Sequence, residues 1–186
     1  MSRIRFASAV DVFAAYSTVA EDVGLPACDQ PPLDFLKQLI GLPQPRAAVA
    51  FLAYLLPKRE AVWWGCRTVR ALSPGLSDNE ESAILAAEGW VREPTEERRR
   101  LAVRAFFESA ETGPGHWCAL AAGRSSGNLA QTDTEAFPVE PFMSARNVMI
   151  AVLAVGGRVQ PEVYAERVKI CVRAGAEFAA GGQLAL

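Results

Sequence analysis

The side chains best suited to recognition chemistry sit together in "KREAVWWGCRTVR", residues 58–70, where Trp63 and Trp64 are adjacent and Arg67 and Arg70 follow. Trp and Arg are the residue types that most often anchor protein interfaces. On a helix each residue advances about 100°. Val62, Gly65, Cys66, Val69 and Leu72 therefore gather on one side, and Glu60 and Arg67 mark the other. The indoles fall between, Trp63 beside Arg70 on one flank and Trp64 beside Ala71 on the opposite flank. Two arrangements satisfy this pattern. Either neighbouring helices cover both flanks with arginines stacked over the rings, or part of the surface stays open and docks a partner. The second arrangement defines the protein-binding site expected from sequence: Trp63, Trp64, Arg67 and Arg70. Such a patch serves a homo-oligomer as well as a hetero-complex.

Other chemically capable groups are scattered. His116 is the only histidine, and with Cys118 it forms "HWC", an i, i+2 pair that points to different helical faces. A Cys–His nucleophile pair would need Cys66 or Cys171 brought in from elsewhere. A zinc site needs about four ligands with closer pairing, and the cysteines at 28, 66, 118 and 171 are widely spread. They read as reduced thiols packed as small hydrophobes. Glu80–Glu81 and Glu96–Glu97 lie in first turns of helices, where the helix dipole favours them. Arg98, Arg99, Arg100 and Arg104 share a helix with Glu96, Glu97 and Glu108, which reads as an internally paired, solvated face. HExxH, GxSxG and P-loop patterns do not occur. No catalytic residue, metal ligand or cofactor is expected.

The elements that must position these groups are helical. Prolines 45, 57, 114 and 161 each precede a helical pattern, where a missing N–H is tolerated. Ser77 with Glu80 matches a capping box, Thr95 caps the following helix, and Ser144 caps a later one. The periodicity gives helices over about 8–21, 32–41, 45–56, 58–72, 78–92, 96–110, 115–122, 144–155 and 160–180. The fold class is all-α: an irregular helical bundle or HEAT-like array of eight or nine helices in a single domain over 1–186. Helix 45–56 is apolar all round and helix 144–155 nearly so, which predicts a central apolar hairpin. Residues 124–142 form a long Gly/Ser/Thr/Pro-containing loop, a second candidate contact, and 181–186 a flexible tail.

Bulk properties narrow the function classes. The chain is 51% apolar and 22% charged, with a net charge of −2. That balance argues against nucleic-acid or anionic-membrane binding. "AAVAFLAYLLP" and "NVMIAVLAVGG" reach about half of the roughly 20 residues a membrane span requires. Asp11 interrupts any signal-peptide core in "MSRIRFASAVDVFAA", so a cytoplasmic location is expected.

The block "RAAVAFLAYLLPKREAVWWGCRTVRAL" followed by "AAEGWVREPTEERRR", within residues 46–122, resembles an uncharacterised proteobacterial family, one of the domains of unknown function. The resemblance implies gene neighbourhoods near type VI secretion spike and cargo genes, and hence an accessory role. It carries over no catalytic or binding residue. The expected function is a non-enzymatic adaptor or chaperone-like binder of a secretion effector or spike component. A small all-α enzyme with a Cys/His pocket, or a DNA-binding regulator using Arg98–Arg104, are the alternatives.

Overall fold

The computed structural model describes residues 1–127 and 138–186, and among them every regular element is a helix. In chain order these are α1 (Ala9–Ala15), α2 (Val19–Val23), α3 (Pro32–Ile40), α4 (Arg46–Leu55), α5 (Lys58–Leu72), α6 (Asp78–Arg92), α7 (Glu96–Phe107), α8 (Pro114–Gly123), α9 (Met143–Ala154) and α10 (Pro161–Ala180). A short 3-10 turn, Val155–Arg158, follows α9 at the two glycines expected to end it. Among the described residues no helix is long and apolar enough to cross a membrane.

The caps explain most boundaries. Pro45 and Pro57 precede α4 and α5, and Pro114 and Pro161 open α8 and α10. The Thr95 hydroxyl accepts from the Arg98 N–H at 3.3 Å, and the Ser77 hydroxyl from the Glu80 N–H at 3.3 Å. Only half of the expected capping box forms, because the Glu80 carboxylate reaches away to Arg158 and the Gly115 N–H. Ser144 is not a cap. It lies fully buried in the first turn of α9 and donates to the Ala121 carbonyl at 2.8 Å, tying α9 to α8.

The helix expected over 8–21 breaks at Tyr16, which is extended at φ −139°, ψ 124°. Tertiary contacts override local propensity there. The Tyr16 ring packs on Tyr54, centroids 5.3 Å apart. Thr18, just before the next helix, and Asp22, on it, hydrogen-bond the Tyr54 hydroxyl at 2.7 and 2.6 Å.

Every residue from Ala47 to Leu56 is buried, so α4 is central as its composition requires. α9 packs directly on it, although the two are distant in sequence and form no hairpin. The third interior helix is α8, in which all residues but Trp117 are buried. One half of the molecule sets α2, α3 and α10 around α4, and the other sets α6 and α7 around α8. α5 touches α6, α8, α9 and α10, so it is the seam between the halves. Most of the 124–142 loop lies outside the described residues, but its ends meet where the Val139 N–H donates to the Gly127 carbonyl at 3.3 Å. The tail expected to be flexible lies against the bundle instead, with Leu184 and Leu186 packed on the core.

Candidate functional site

As the seam, α5 must cover two apolar neighbours and still present one face to water. That requirement separates the two tryptophans. Trp64 is 0% exposed, and its indole N–H donates to the Cys171 carbonyl of α10 at 3.0 Å. A glycine on α10 makes room for it: a Cβ at Gly175 would stand 2.7 Å from Trp64 Nε1 and 2.5 Å from Leu52 Cδ2. Trp64 is therefore a core residue and offers no contact surface, contrary to its place in the expected site.

Arg70 is likewise committed internally. Its Nη1 and Nη2 donate to the two Glu81 oxygens at 2.8 Å, and its Nε to Glu88 at 2.8 Å. This staples α5 to α6. The paired Arg70 guanidinium holds the Glu81 carboxyl below its ordinary range and is itself held more firmly protonated by the two carboxylates. Of the expected set, Trp63, Arg67 and Arg70 are all half-buried at the surface, and Arg70 is the one held by two carboxylates. The Arg67 guanidinium carbon sits 5.6 Å from the Trp63 ring centroid, and its Nη2 donates to the Leu186 carbonyl at 2.7 Å.

Around Trp63 the surface is concave, a depression of about 300 Å³ lined by Arg3, Arg59, Glu60, Trp63, Arg92 and Phe178, with Val91. Arg3 lies over the Phe178 ring at 3.9 Å and donates to the Phe178 and Gly182 carbonyls. Arg59 Nε donates to the Val91 carbonyl at 2.5 Å. Three arginines and one acid, Glu60, thus line the depression beside the indole, and Arg92 also lies 3.9 Å from Glu88. A second cavity of about 420 Å³ adjoins it through Arg59 and Glu60, and brings in Arg5, Tyr16, Lys58, Trp90 and the Ser125–Ser126 turn. Lys58 Nζ donates to the Ser125 carbonyl at 2.7 Å, and burial lowers the pKa of its ammonium.

The sequence did not single out Arg3, Arg5, Arg59 or Trp90. Arg59 and Lys58 follow Pro57 in "LPKRE", a local signal that the α5 N-terminus is cationic. That the N-terminal segment returns to this face has no local signal at all.

His116 occupies a separate polar nook of about 100 Å³ with Glu80, Glu111, Gly113 and Arg158. It is 1% exposed, its Nδ1 accepts from the Gly113 N–H at 3.1 Å, and its Nε2 has no partner among the described residues. Glu80 bridges this nook, 2.6 Å from Arg158 Nη2. Burial lowers the His116 pKa, with Glu80 opposing and Arg158 adding to the shift. No thiol lines the nook. Cys118 points the other way and hydrogen-bonds Cys66, which with burial pushes the Cys66 thiol well up. The cysteine–histidine pairing is therefore not assembled at this nook. Among the described residues no three His, Cys, Asp or Glu side chains group as a metal set.

The α7 arginines are only partly a solvated face. Arg99 is 2% exposed, bound to both Glu96 oxygens at 2.6 Å and to the Gly123 carbonyl at 2.7 Å. Arg99 first, then Arg100, holds the Glu96 carboxyl down to about 2.

Residues 35–179 match the model of a family of unknown function (DUF6931), and the chain belongs to that family. No curated protein and no solved structure matches the chain.

Proposed function

We propose that this family member is a non-enzymatic adaptor or chaperone-like binding module, working in the cytoplasm, that docks an acidic segment of a protein partner on the Trp63–Arg67 face of α5. One observation carries the reading: Arg3, Arg59 and Arg92 line one depression with a half-buried indole, where Glu60 is the one acid of the described lining and Glu88 stands 3.9 Å from Arg92. An aromatic anchor beside three arginines and one lining acid suits a partner that brings an apolar side chain flanked by carboxylates. The resemblance to a proteobacterial family near secretion genes makes a type VI secretion effector or spike protein the partner class.

The test is direct titration of a purified spike or cargo protein against the wild type, Trp63→Ala and Arg59→Glu. Each variant should bind at least tenfold more weakly, as expected for an interface anchor, while unfolding as cooperatively as the wild type. Equal affinity in all three proteins would sink the reading. A concentration-dependent rise in mass without partner, abolished by Trp63→Ala, would assign the same face to a second copy of the chain. The small-enzyme alternative keeps one supporting observation, the unpartnered Nε2 of His116, and it requires an activity that His116→Ala removes.

A further inference from the structure

The larger cavity beside the docking face is built for a different ligand. α5 starts at Lys58 behind Pro57, which offers no side-chain acceptor, and no side chain caps the helix. The first N–H groups of any helix lack intrahelical partners, and the helix dipole concentrates positive potential there. Pro57, Lys58, Arg59 and Glu60 all line the cavity, so this uncapped end opens into it.

A second observation is independent of the helix. Ser125 is 5% exposed, lines the same cavity, and its hydroxyl has no hydrogen-bond partner among the described residues. A buried hydroxyl without a partner is uncommon and calls for an explanation. Lys58 holds the Ser125 carbonyl at 2.7 Å with one ammonium hydrogen, and an ammonium carries three. Arg5 adds a second cation beside the Tyr16 hydroxyl, whose ionisation it favours against burial. Arg59 is turned toward the Val91 and Arg92 carbonyls, which leaves Arg5 and Lys58 as the other cations of the lining, with Glu60 as the one acid among the described lining residues.

We propose that the cavity between the N-terminus of α5 and the Ser125–Ser126 turn is an oxyanion site that takes a phosphate or carboxylate group. A helix start with free N–H groups, an ammonium and a hydroxyl, all from residues that line one space, are the donor types such groups recruit. The aromatic walls, Phe6, Tyr16 and Trp90, would hold an organic body attached to that anion. This goes beyond the docking reading, because it needs neither Trp63 nor Arg67.

Inorganic phosphate, and acetate in parallel, should be titrated into the full chain at ionic strength matched with chloride, following heat and thermal midpoint. The expected result is saturable binding and a raised midpoint with one of the two anions. Phosphate would identify a phosphoryl ligand and acetate a carboxylate ligand. Lys58→Met, which keeps the alkyl stem, should bind at least tenfold more weakly. Should that variant lose cooperative unfolding, Ser125→Ala carries the test, with an expected several-fold loss. Trp63→Ala should bind the anion as the wild type does, even if it fails to bind a protein partner. No saturable effect beyond chloride with either anion, or wild-type affinity in Lys58→Met, overturns the proposal.

Discussion

At the residue scale, burial decides which groups keep ordinary chemistry, and His116 shows the consequence for pH. Its imidazole is enclosed at 1% exposure with Nδ1 accepting from the Gly113 N–H, a bond that requires the neutral ring. The groups facing it are Glu80, Glu111 and Arg158, and burial outweighs the two acids to lower its pKa. The unfolded chain therefore binds more protons than the folded one just below the ordinary histidine value of about 6.5. Stability from this site is complete above that pH and is lost as pH falls toward the folded pKa. Urea unfolding should give a wild-type free energy that declines between about pH 6.5 and 5, a window above the titration of Glu81 and Glu96. In His116→Gln, which retains an acceptor for Gly113, the decline over that window should flatten. An unchanged slope would mean that His116 titrates freely. His116 is the one histidine of the sequence, but its enclosure has no local signal, because the Glu80 carboxylate that shapes the nook comes from a helix 36 residues earlier.

At the element scale, close approach between helices decides what α5 shows to solvent. Gly175 lets α10 settle on Trp64 and Leu52, so Gly175→Ala drives a methyl into contacts of 2.5 and 2.7 Å. Overpacking of this kind costs about 1–3 kcal/mol, partly offset by the better helix propensity of Ala. A denaturation midpoint lowered accordingly, with the Trp64 emission shifted to the red, is the expected outcome. Wild-type stability would show that α10 can shift without cost. The helix spans themselves were largely legible, since apolar period and proline placement are local signals and α4 announced its centrality by composition. Two features were not. The break at Tyr16 depends on its packing against Tyr54, and α8 hides its central role behind small residues. A Cβ at Gly123 would stand 2.5 Å from Val103 Cγ2, so smallness here is a packing device that a hydrophobicity pattern cannot register.

At the scale of the whole molecule, the candidate face is bordered by segments from opposite ends of the sequence. The Arg3 N–H donates to the Ala179 carbonyl at 2.9 Å, and Gly181 turns at φ 113° with the Met1 backbone against it. A side chain at 181 would be both strained and blocked, so this glycine permits the closure. Beyond the turn, Leu184 and Leu186 pack on the core, and the Leu186 carbonyl takes the hydrogen bond that fixes Arg67 over Trp63. The tail therefore shapes the docking surface as well as covering core. Removing residues 183–186 should leave unfolding cooperative and cost about 1–3 kcal/mol, the range for two partly buried leucines. It should also release Arg67, so acrylamide quenching of tryptophan emission should rise above that of the full chain. The increment should vanish when Trp63→Phe is added, since Trp64 is enclosed on all sides. A flexible tail, as composition alone implied, would leave both stability and quenching unchanged. If quenching rises and partner affinity rises with it, the tail competes for the face. If affinity falls, the partner binds Arg67 as the tail positions it.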